Sequence, residues 1–539
     1  MNWRFGVDLL KTQQTSGNAK KREEMIYDSQ YNHLALLGID VRGISLFDTT
    51  LRDGEQAPGI ALSTDDKMRI ASALDDLGVD VIEAGFAASG DRERETIRKI
   101  TEMGLKSTVC SLSRSSKQDI DAVIDCNVDY VHTFLATSDI HLKYKLKMTR
   151  DEVKTKAVDA VEYARSHGLR VQFSCEDATR TDLDFLKEMH IAVQDAGAEV
   201  INIPDTVGVI YPSAMTYLIK ELKKVTKVPM AVHCHNDMGL AVANSLAAVA
   251  AGAKQVHVCV NGLGERTGNA ALEEVALGLY ANFDIVTVDM SKIGSVSRMV
   301  SRITGYPIAY NKPIVGRNAF AHESGIHVHG VLNNAATYEA FRPELVGMDR
   351  HIILGKHSGA HSVKDRLDAL KVRFPDERIP ELLAKIKELA VGGKEIDDAE
   401  LMAIADHMLW KRGEEDSVKL KEFAVFTGKG VTPTATVTIE MDGDKRTSSK
   451  TGIGPVDAAI KAIRCAVNDK ITLEEYKLNA ITGGSDSLCE VTVVIKGAYD
   501  DSRLSVGKAV GLDIVETSVD ATMEAINRDY IRGRREKNG

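Results

Sequence analysis

The sequence predicts an α/β protein in which a (β/α)8 TIM barrel is followed by a helical linker region and a C-terminal α+β domain. From residue 44, short apolar runs that end in polar residues alternate with longer amphipathic stretches, as in βα units around a parallel sheet. Eight such units over roughly 230 residues have the size of a (β/α)8 barrel. After residue 423 the pattern changes to strands, glycine turns and apolar helices.

Eight short runs are the candidate barrel strands. A doubly wound open sheet is the alternative, but it should carry a glycine-rich phosphate turn after its first strand, and none is present. Between the runs lie helix-like segments such as Thr64–Leu77, which Ser63 or Thr64 can cap and Gly78 can end. The predicted strands are Ile44–Thr50, Val81–Phe86, Ser107–Leu112, Tyr130–Ala136, Arg170–Cys175, Val200–Pro204, Met230–His235 and Gln255–Val260.

With 539 residues, the chain is too long for one ordinary core. We predict an N-terminal extension (1–42), the barrel (43–310), helical linker subdomains (311–422) and a C-terminal domain (423–539). Residues 423–539 contain two similar series of strands, glycine turn and helix, which suggests internal pseudo-symmetry. The linker helices are expected at Leu382–Leu389 and Ala399–Leu409.

Composition excludes several classes of protein. A net charge of −10, from 68 basic and 78 acidic residues, argues against a nucleic-acid binder. The sequence contains no run of about 18 apolar residues, so no membrane span is predicted. The first forty residues contain no apolar signal core, so secretion is not expected. The seven cysteines form no C-x-x-C pair and lie mostly in apolar runs, which favours reduced, buried thiols in a cytoplasmic protein.

Polar residues cluster where a barrel would use them, because barrel active sites collect at the C-terminal ends of the strands. A random arrangement would scatter such residues over both ends of the strands. The residues at or just beyond a predicted strand end are Arg52, Asp53, Glu83, His132, Glu176, Thr206, His233, His235 and Glu265.

The seventh predicted strand offers a pair of metal ligands. His233 and His235 project from the same face, since side chains alternate along a strand. Asp53 follows the first strand and Asn269 follows the eighth, and these strands become neighbours when a barrel closes. The four side chains therefore converge on one arc of the rim, and mixed nitrogen and oxygen ligation suits Mg²⁺, Mn²⁺ or Zn²⁺. Asp48 could replace Asp53, but within the strand a structural salt bridge is expected.

Such a metal would act as a Lewis acid on a chelating 2-oxo acid. Arg52 could stabilise the oxygen that becomes negative, and Thr206 could bind the substrate carboxylate through its hydroxyl group. Glu265 and His322 lie in glycine-rich polar loops and are candidates for proton transfer. Each of these residues could instead have an ordinary structural or surface role.

Several long motifs resemble one enzyme family. The motifs F-D-T-T-L-R-D-G-E-Q (47–56), H-C-H-N-D (233–237) and N-G-L-G-E-R-T-G-N-A (261–270) resemble those of the acyl-CoA Claisen condensing enzymes of the 2-isopropylmalate, citramalate and homocitrate synthase family. The resemblance covers residues 44–530, including G-R-N-A-F-A-H-E-S-G-I-H (316–327), I-L-G-K-H-S-G (353–359) and G-I-G-P-V-D-A (452–458). It implies a metal-dependent acyltransferase with acetyl-CoA as co-substrate.

The resemblance also implies roles for individual residues. It places Asp53, His233, His235 and Asn269 at the metal. Arg52 would lie at the developing oxyanion, Thr206 at the substrate carboxylate and Glu265 near the acetyl group. From their predicted position at the strand ends, and not from the resemblance, we also expect Glu83, His132 and Glu176 to bind substrate. In a homodimer, His322 and Tyr338 would reach into the neighbouring subunit's site. An amino-acid effector would bind the glycine-rich turns of the C-terminal domain, at Gly452, Ile453, Gly454, Ala480 and Gly483.

The choice among possible 2-oxo acid substrates depends on a few residues of the motifs. The R-D-G sequence argues against homocitrate synthases, and E-A-G-F (83–86) and H-T-F-L-A-T-S (132–138) resemble isopropylmalate synthases, although Ala87 stands where proline is expected. Since a few residues can switch such a pocket, 2-oxoisovalerate ranks first and pyruvate second. The first choice implies the first committed step of leucine biosynthesis with feedback inhibition by leucine.

Other function classes remain open from sequence alone. One is a lyase or aldolase that cleaves an acyl-CoA on a similar barrel, and another is an amino-acid sensor on a catalytically dead barrel. The complete metal set and Arg52 count against the sensor. A biotin-dependent carboxyltransferase would need a lysine in the metal site, and these motifs contain none.

Overall fold

The structure is a computed structural model of the chain. It describes residues 25–27, 29–36, 38–39, 41–352, 354, 358–370, 372–390, 396, 398–409, 418–480, 489–497 and 504–538. The chain divides into two compact units, residues 1–320 with 339–350 and residues 321–338 with 351–539. The four predicted domains are a finer division and stay a prediction. Along the described ranges, no helix combines the length and apolar character needed to cross a membrane.

The first unit contains a closed barrel of eight parallel strands in sequential order, which confirms the predicted fold class. The first and eighth strands pair from Ser45 opposite Gln255 to Asp48 opposite Val258, and this pairing closes the barrel. The strands are β1 (Ser45–Asp48), β2 (Val81–Phe86), β3 (Thr108–Arg114), β4 (Tyr130–Ala136), β5 (Arg170–Glu176), β6 (Val200–Asp205), β7 (Met230–Cys234) and β8 (Gln255–Val258).

Helices surround the strands and bury their apolar faces against the sheet. In the helix Thr64–Leu77, the Ser63 side chain accepts from the Asp66 backbone, and Gly78 ends the helix in a left-handed conformation with φ 96°. Ile70, a core residue of this helix, is fully buried. The other long helices of this unit are Asp91–Glu102, Lys117–Ile124, Arg150–Ser166, Leu183–Asp195, Pro212–Leu222, Ala241–Ala251, Leu272–Phe283 and Ile293–Thr304.

β1 is shorter than predicted because its last carboxylate captures the following backbone. Asp48 accepts hydrogen bonds from the backbone N–H of Thr50 at 2.9 Å and from its hydroxyl at 3.0 Å, which turns the chain out of the sheet. Burial raises the pKa of Asp48 to about 7. The expected salt bridge at Asp48 is wrong, since within the described residues its carboxylate pairs with hydroxyl and amide donors and with no cation.

The second unit contains the two repeated modules that the sequence predicts. One antiparallel sheet comprises Val418–Gly428, Val431–Met441 and Asp444–Thr451 and is followed by the helix Pro455–Val467. The other comprises Thr472–Ala480, Cys489–Lys496 and Leu504–Gly511 and is followed by the helix Ile514–Asn538. Four further helices of this unit are Gly325–Asn333, Ala360–Ala369, Ile379–Leu389 and Asp398–Leu409.

Candidate active site

Three buried side chains at the barrel rim form a group that could hold a metal ion. β7 carries His233, His235 follows this strand directly, and Asp53 follows β1. The Nε2 atoms of the two histidines are 3.3 Å apart, and the Oδ2 atom of Asp53 is 3.6 Å from Nε2 of His233. One ligand atom from each residue lies within 4.8 Å of the others.

Asn269 completes the predicted set of four. Its Nδ2 donates to Oδ1 of Asp53 and to the backbone carbonyl of Leu263, both at 3.0 Å. Its Oδ1 is buried and has no hydrogen-bond partner in the described structure. A buried amide oxygen without a donor is costly unless a cation or a water molecule satisfies it. The structure thus brings all four predicted metal residues together.

Electrostatics fit these residues to a cation. Burial, and then the neighbouring His235, lowers the pKa of His233 to about 3, and burial also lowers the pKa of His235. Burial alone would raise the pKa of Asp53, but the Arg52 guanidinium holds it well below its ordinary value. At neutral pH the group therefore offers two neutral imidazoles and one carboxylate, which is a donor set for a divalent transition metal.

A chain of charged hydrogen bonds extends from Asp53 across the barrel. Arg52 donates from Nη1 to Asp53 at 2.7 Å and from Nε to Glu83 at 2.6 Å. The other oxygen of Glu83 is 2.6 Å from Nδ1 of His132, and Nε2 of His132 is 2.6 Å from the Ser174 hydroxyl. Burial would raise the pKa of Glu83, but Arg52 and His132 hold it below its usual value. Both ring nitrogens of His132 are occupied, so its orientation is fixed.

Sequence reasoning missed the polar side chains deeper in the barrel. Asn202 donates to the Ser174 hydroxyl at 2.7 Å. Nε2 of Gln172 is 2.7 Å from Nε2 of His257, whose ring stacks on Phe47 with centroids 4.1 Å apart. The available signal was the period-two spacing of Gln172, Ser174 and the predicted rim residue Glu176 on one strand.

Two predicted substrate-binding residues lie on neighbouring strand ends. Glu176 pairs with Lys145, whose Nζ is 2.6 Å from Oε1. The Thr206 hydroxyl accepts a hydrogen bond from the backbone N–H of Asp177 at 3.0 Å, which leaves its own proton for another acceptor. The Thr206 carbonyl accepts from Arg266 at 2.8 Å. These contacts fix the β5 and β6 ends relative to the loop after β8.

The predicted proton-transfer residues differ in their surroundings. Glu265 is exposed, and its backbone N–H donates to Oδ1 of Asp53 at 3.4 Å. The loop that carries Glu265 therefore lies beside the four predicted metal residues. His322 and Tyr338 both lie in the second unit. His322 is half-buried in the short strand Ala321–His322, and the exposed Tyr338 ring stacks on His327 with centroids 4.1 Å apart.

The predicted effector residues fall on turns and a strand end of the C-terminal modules. Ile453 is 97% exposed, and its backbone N–H donates to Asp457 at 2.9 Å. Gly452 has no room for a side chain, because a Cβ there would lie 2.7 Å from the Asp457 carboxylate. Gly454 precedes the helix Pro455–Val467, and Ala480 pairs with Cys489 at the end of its strand. Gly483 lies outside the described residues.

Comparison with known proteins identifies the family. Residues 43–300 match the HMGL-like family, residues 314–394 the homocitrate synthase post-HMGL domain-like family, and residues 395–530 the LeuA allosteric (dimerisation) domain. A 2-isopropylmalate synthase of Methanocaldococcus jannaschii is 51% identical over 500 residues, which cover 92% of this chain and 96% of that protein. The chain belongs to the 2-isopropylmalate synthase family. It is therefore an enzyme of the acyltransferase class that performs a condensation of the Claisen type.

This 2-isopropylmalate synthase family member is also similar to enzymes that are named for other products. The (R)-citramalate synthase of the same archaeon is 47% identical over 489 residues, covering 90% of this chain and 99% of that protein. Among solved structures, an HMG-CoA lyase of Bacillus subtilis is 17% identical with a TM-score of 0.47, covering 50% of this chain and 96% of that one.

Proposed function

We propose that this enzyme condenses acetyl-CoA with 2-oxoisovalerate and hydrolyses the resulting thioester, giving 2-isopropylmalate and CoA. The observation that carries the proposal is the buried group of Asp53, His233 and His235 with Arg52 bonded to its carboxylate. The 51% identity to a 2-isopropylmalate synthase over nearly the whole chain supports the same substrate.

Asp53, His233 and His235 would hold a divalent cation, and Oδ1 of Asn269, which has no hydrogen-bond partner in the described structure, would be the fourth ligand. When bound, the cation would supply Lewis-acid polarisation of the substrate ketone. The residues do not select among Mg²⁺, Mn²⁺ and Zn²⁺, since the two imidazoles favour Zn²⁺ whereas the carboxylate and amide oxygens favour Mg²⁺ and Mn²⁺.

Arg52 would stabilise the negative charge that develops on the ketone oxygen. Its Nε and Nη1 are occupied by Glu83 and Asp53, so the guanidinium is held in one orientation, with Nη2 left for a substrate oxygen. Thr206 would donate its hydroxyl proton to the carboxylate of the oxo acid, because the backbone of Asp177 already fills its acceptor side.

Proton transfer would involve Glu265 from the same chain and His322 with Tyr338 from the partner of a homodimer. The methyl group of acetyl-CoA must lose a proton before its carbon attacks the ketone, and water must later cleave the thioester. Glu83 and Ser174 hold both ring nitrogens of His132, so this ring is not assigned to proton transfer. The match to a dimerisation domain supports the homodimer.

The second candidate substrate is pyruvate, which would make the enzyme a citramalate synthase. The 47% identity to the (R)-citramalate synthase favours this alternative. A pocket distinguishes one or two methyl groups by only about 1–3 kcal/mol, so a few side chains would be enough to exchange the two substrates.

The test measures CoA release from acetyl-CoA with 2-oxoisovalerate or pyruvate, with and without a chelator. We expect a higher kcat/KM with 2-oxoisovalerate and loss of turnover on chelation. His233→Ala and His235→Ala should be inactive, whereas His167→Ala, at an exposed histidine, serves as the control. Undiminished turnover in the first two variants would refute the metal group, and a higher kcat/KM for pyruvate would favour citramalate synthesis.

We further propose that leucine inhibits the enzyme by binding the turns at Gly452–Gly454 and Ala480–Gly483. The exposed Ile453 and the match of residues 395–530 to an allosteric domain support this role. Titrating leucine, isoleucine and valine against CoA release tests it. Inhibition by leucine alone is expected, and insensitivity to all three amino acids would refute end-product control.

A further inference from the structure

Lys67 is a buried lysine outside the group of residues described so far. Its side chain is only 2% exposed, although it lies in a helix on the outside of the barrel. Nζ lies 2.7 Å from Oε2 of Glu55 and 2.7 Å from Oε1 of Glu93. Only Lys67 is buried, since the Glu55 and Glu93 side chains are 25% and 21% exposed, and removing a lysine from water offsets much of the attraction to its partners, so these pairs contribute little net stability compared with apolar packing. The arrangement therefore calls for a role other than packing.

The first partner connects Lys67 to the loop that carries Asp53. Glu55 lies in the short turn Gly54–Gln56, which begins directly after Asp53. Its second oxygen accepts a hydrogen bond from the backbone N–H of Leu62 at 3.0 Å. Both carboxylate oxygens are thus occupied, and the turn after the predicted metal ligand is fixed to the barrel helix.

The second partner connects Lys67 to the end of β2. Glu93 packs directly against Gly85, where a Cβ would lie 2.9 Å from the Glu93 carboxylate carbon. Gly85 follows Glu83 by two residues on the same strand. One ammonium group therefore links the two segments whose carboxylates, Asp53 and Glu83, are both bonded to Arg52.

We propose that Lys67 is a positioning residue that holds the loop after β1 against the end of β2, so that Asp53 and Glu83 stay at the separation that Arg52 bridges. Lys67 is not one of the four predicted metal residues and would act through Glu55 and Glu93. The inference rests on the proposed metal-dependent condensation, because it assigns Lys67 a purpose in keeping that group in place. Without the Lys67 ammonium group, Asp53 would remain buried, but its carboxylate would be held less firmly in the position that binds a cation.

The test compares three variants with the wild type. Lys67→Met removes the ammonium, and a triple variant adds Glu55→Gln and Glu93→Gln so that neither carboxylate is left without its cation. Lys99→Met, at an exposed lysine paired with Glu95 at 2.8 Å, is the matched control. Three readouts are needed: the thermal midpoint, the affinity for Mn²⁺ by calorimetry without substrates, and kcat and KM for the oxo acid.

We expect Lys67→Met to bind Mn²⁺ at least about 10-fold more weakly and to lose about 100-fold in kcat/KM, since a misplacement of about 1 Å has effects of this size. The triple variant should regain the thermal midpoint but neither of the other two quantities. If it regains all three, Lys67 only neutralises two carboxylates and the proposal is wrong. The proposal is equally wrong if Lys67→Met changes stability alone.

If Lys67→Met does not fold, the triple variant decides by the same criteria. The failure of the proposed function is recognised separately, in the wild type. A wild-type enzyme without cation-dependent CoA release would refute the condensation, whereas an active wild type with an equally active Lys67→Met variant would refute only the positioning role.

Discussion

Substituting Gly264 by alanine should disturb the four predicted metal ligands, Asp53, His233, His235 and Asn269, without unfolding the barrel. Gly264 has φ +151°, and a Cβ at this position would lie 2.8 Å from Oδ1 of Asp53 and closer still to Nδ2 of Asn269. Both neighbours are buried and hydrogen-bonded to each other at 3.0 Å, so neither side chain can swing away into solvent. The methyl group must therefore push the two predicted ligands apart or displace the loop backbone.

The size of the effect follows from these distances. Restoring an ordinary contact of 3.4 Å moves the Asp53 oxygen by about 0.6 Å, and Asn269 must move further. A shift of about 1 Å at a catalytic group costs on the order of 100-fold in rate, and the strained backbone adds about 1–3 kcal/mol of instability. We expect the affinity for Mn²⁺, measured by calorimetry, to fall between about 10-fold and 100-fold, with a comparable loss in kcat/KM.

Gly104→Ala provides the control for backbone strain alone. Gly104 also has a positive φ, +65°, but a Cβ there would have no atom within 4 Å. This variant should lose about 1 kcal/mol of stability and keep its affinity for the cation. If Gly264→Ala binds Mn²⁺ within twofold of Gly104→Ala, the four side chains do not form the cation site and the reasoning fails.

Three further perturbations have defined outcomes. Glu83→Gln should lower kcat/KM by at least about 100-fold, because Arg52 and His132 lose the carboxylate between them. Breaking such a buried pair costs about 3–5 kcal/mol. A loss of kcat/KM below threefold would contradict this expectation. Burial lowers the pKa of His190 from 6.5 to about 3, so the stability that the neutral ring contributes is present above pH 6.5 and is lost progressively as the pH falls toward 3. The thermal midpoint of His190→Gln should therefore depend less on pH over this range, and equal slopes would refute the assignment. Ile453→Ser, at a 97% exposed residue, should leave the thermal midpoint within about 1 °C and raise the leucine concentration for half-inhibition about 10-fold, and an unchanged inhibition curve would remove Ile453 from the effector site.

The sequence was sufficient to predict the barrel and the convergence of Asp53, His233, His235 and Asn269 on one arc of its rim. Barrel closure requires β1 and β8 to be neighbours, so strand order alone assigns Asp53, His233 and Asn269 to one arc. Strand ends were less accurate. Thr49 and Thr50 were predicted to continue β1, but the Asp48 carboxylate takes the Thr50 backbone N–H and ends the strand at Asp48.

The partners within the site could not be predicted. The hydrogen bonds from Arg52 through Glu83 and His132 to Ser174 connect the loop after β1 with β2, β4 and β5, and their distances depend on rotamers that strand spacing does not determine. The burial of Lys67 and its pairing with two glutamates could not be predicted from the sequence either. Lysine is almost never fully buried, and its two carboxylate partners become neighbours only after the helices have packed.

Asp53 and Asn269 are 216 residues apart in the chain, yet they share a hydrogen bond because β1 pairs with β8. During synthesis, a nascent chain that ends between His235 and β8 already contains the aspartate and both histidines, but the gap into which β8 inserts is still open. A cation bound at this rim would thus favour only molecules whose last strand is in place, since a ligand stabilises the state that binds it. The ion would therefore stabilise the barrel only at the last step of its folding. In cells deprived of the metal, incompletely folded and protease-sensitive barrels should accumulate.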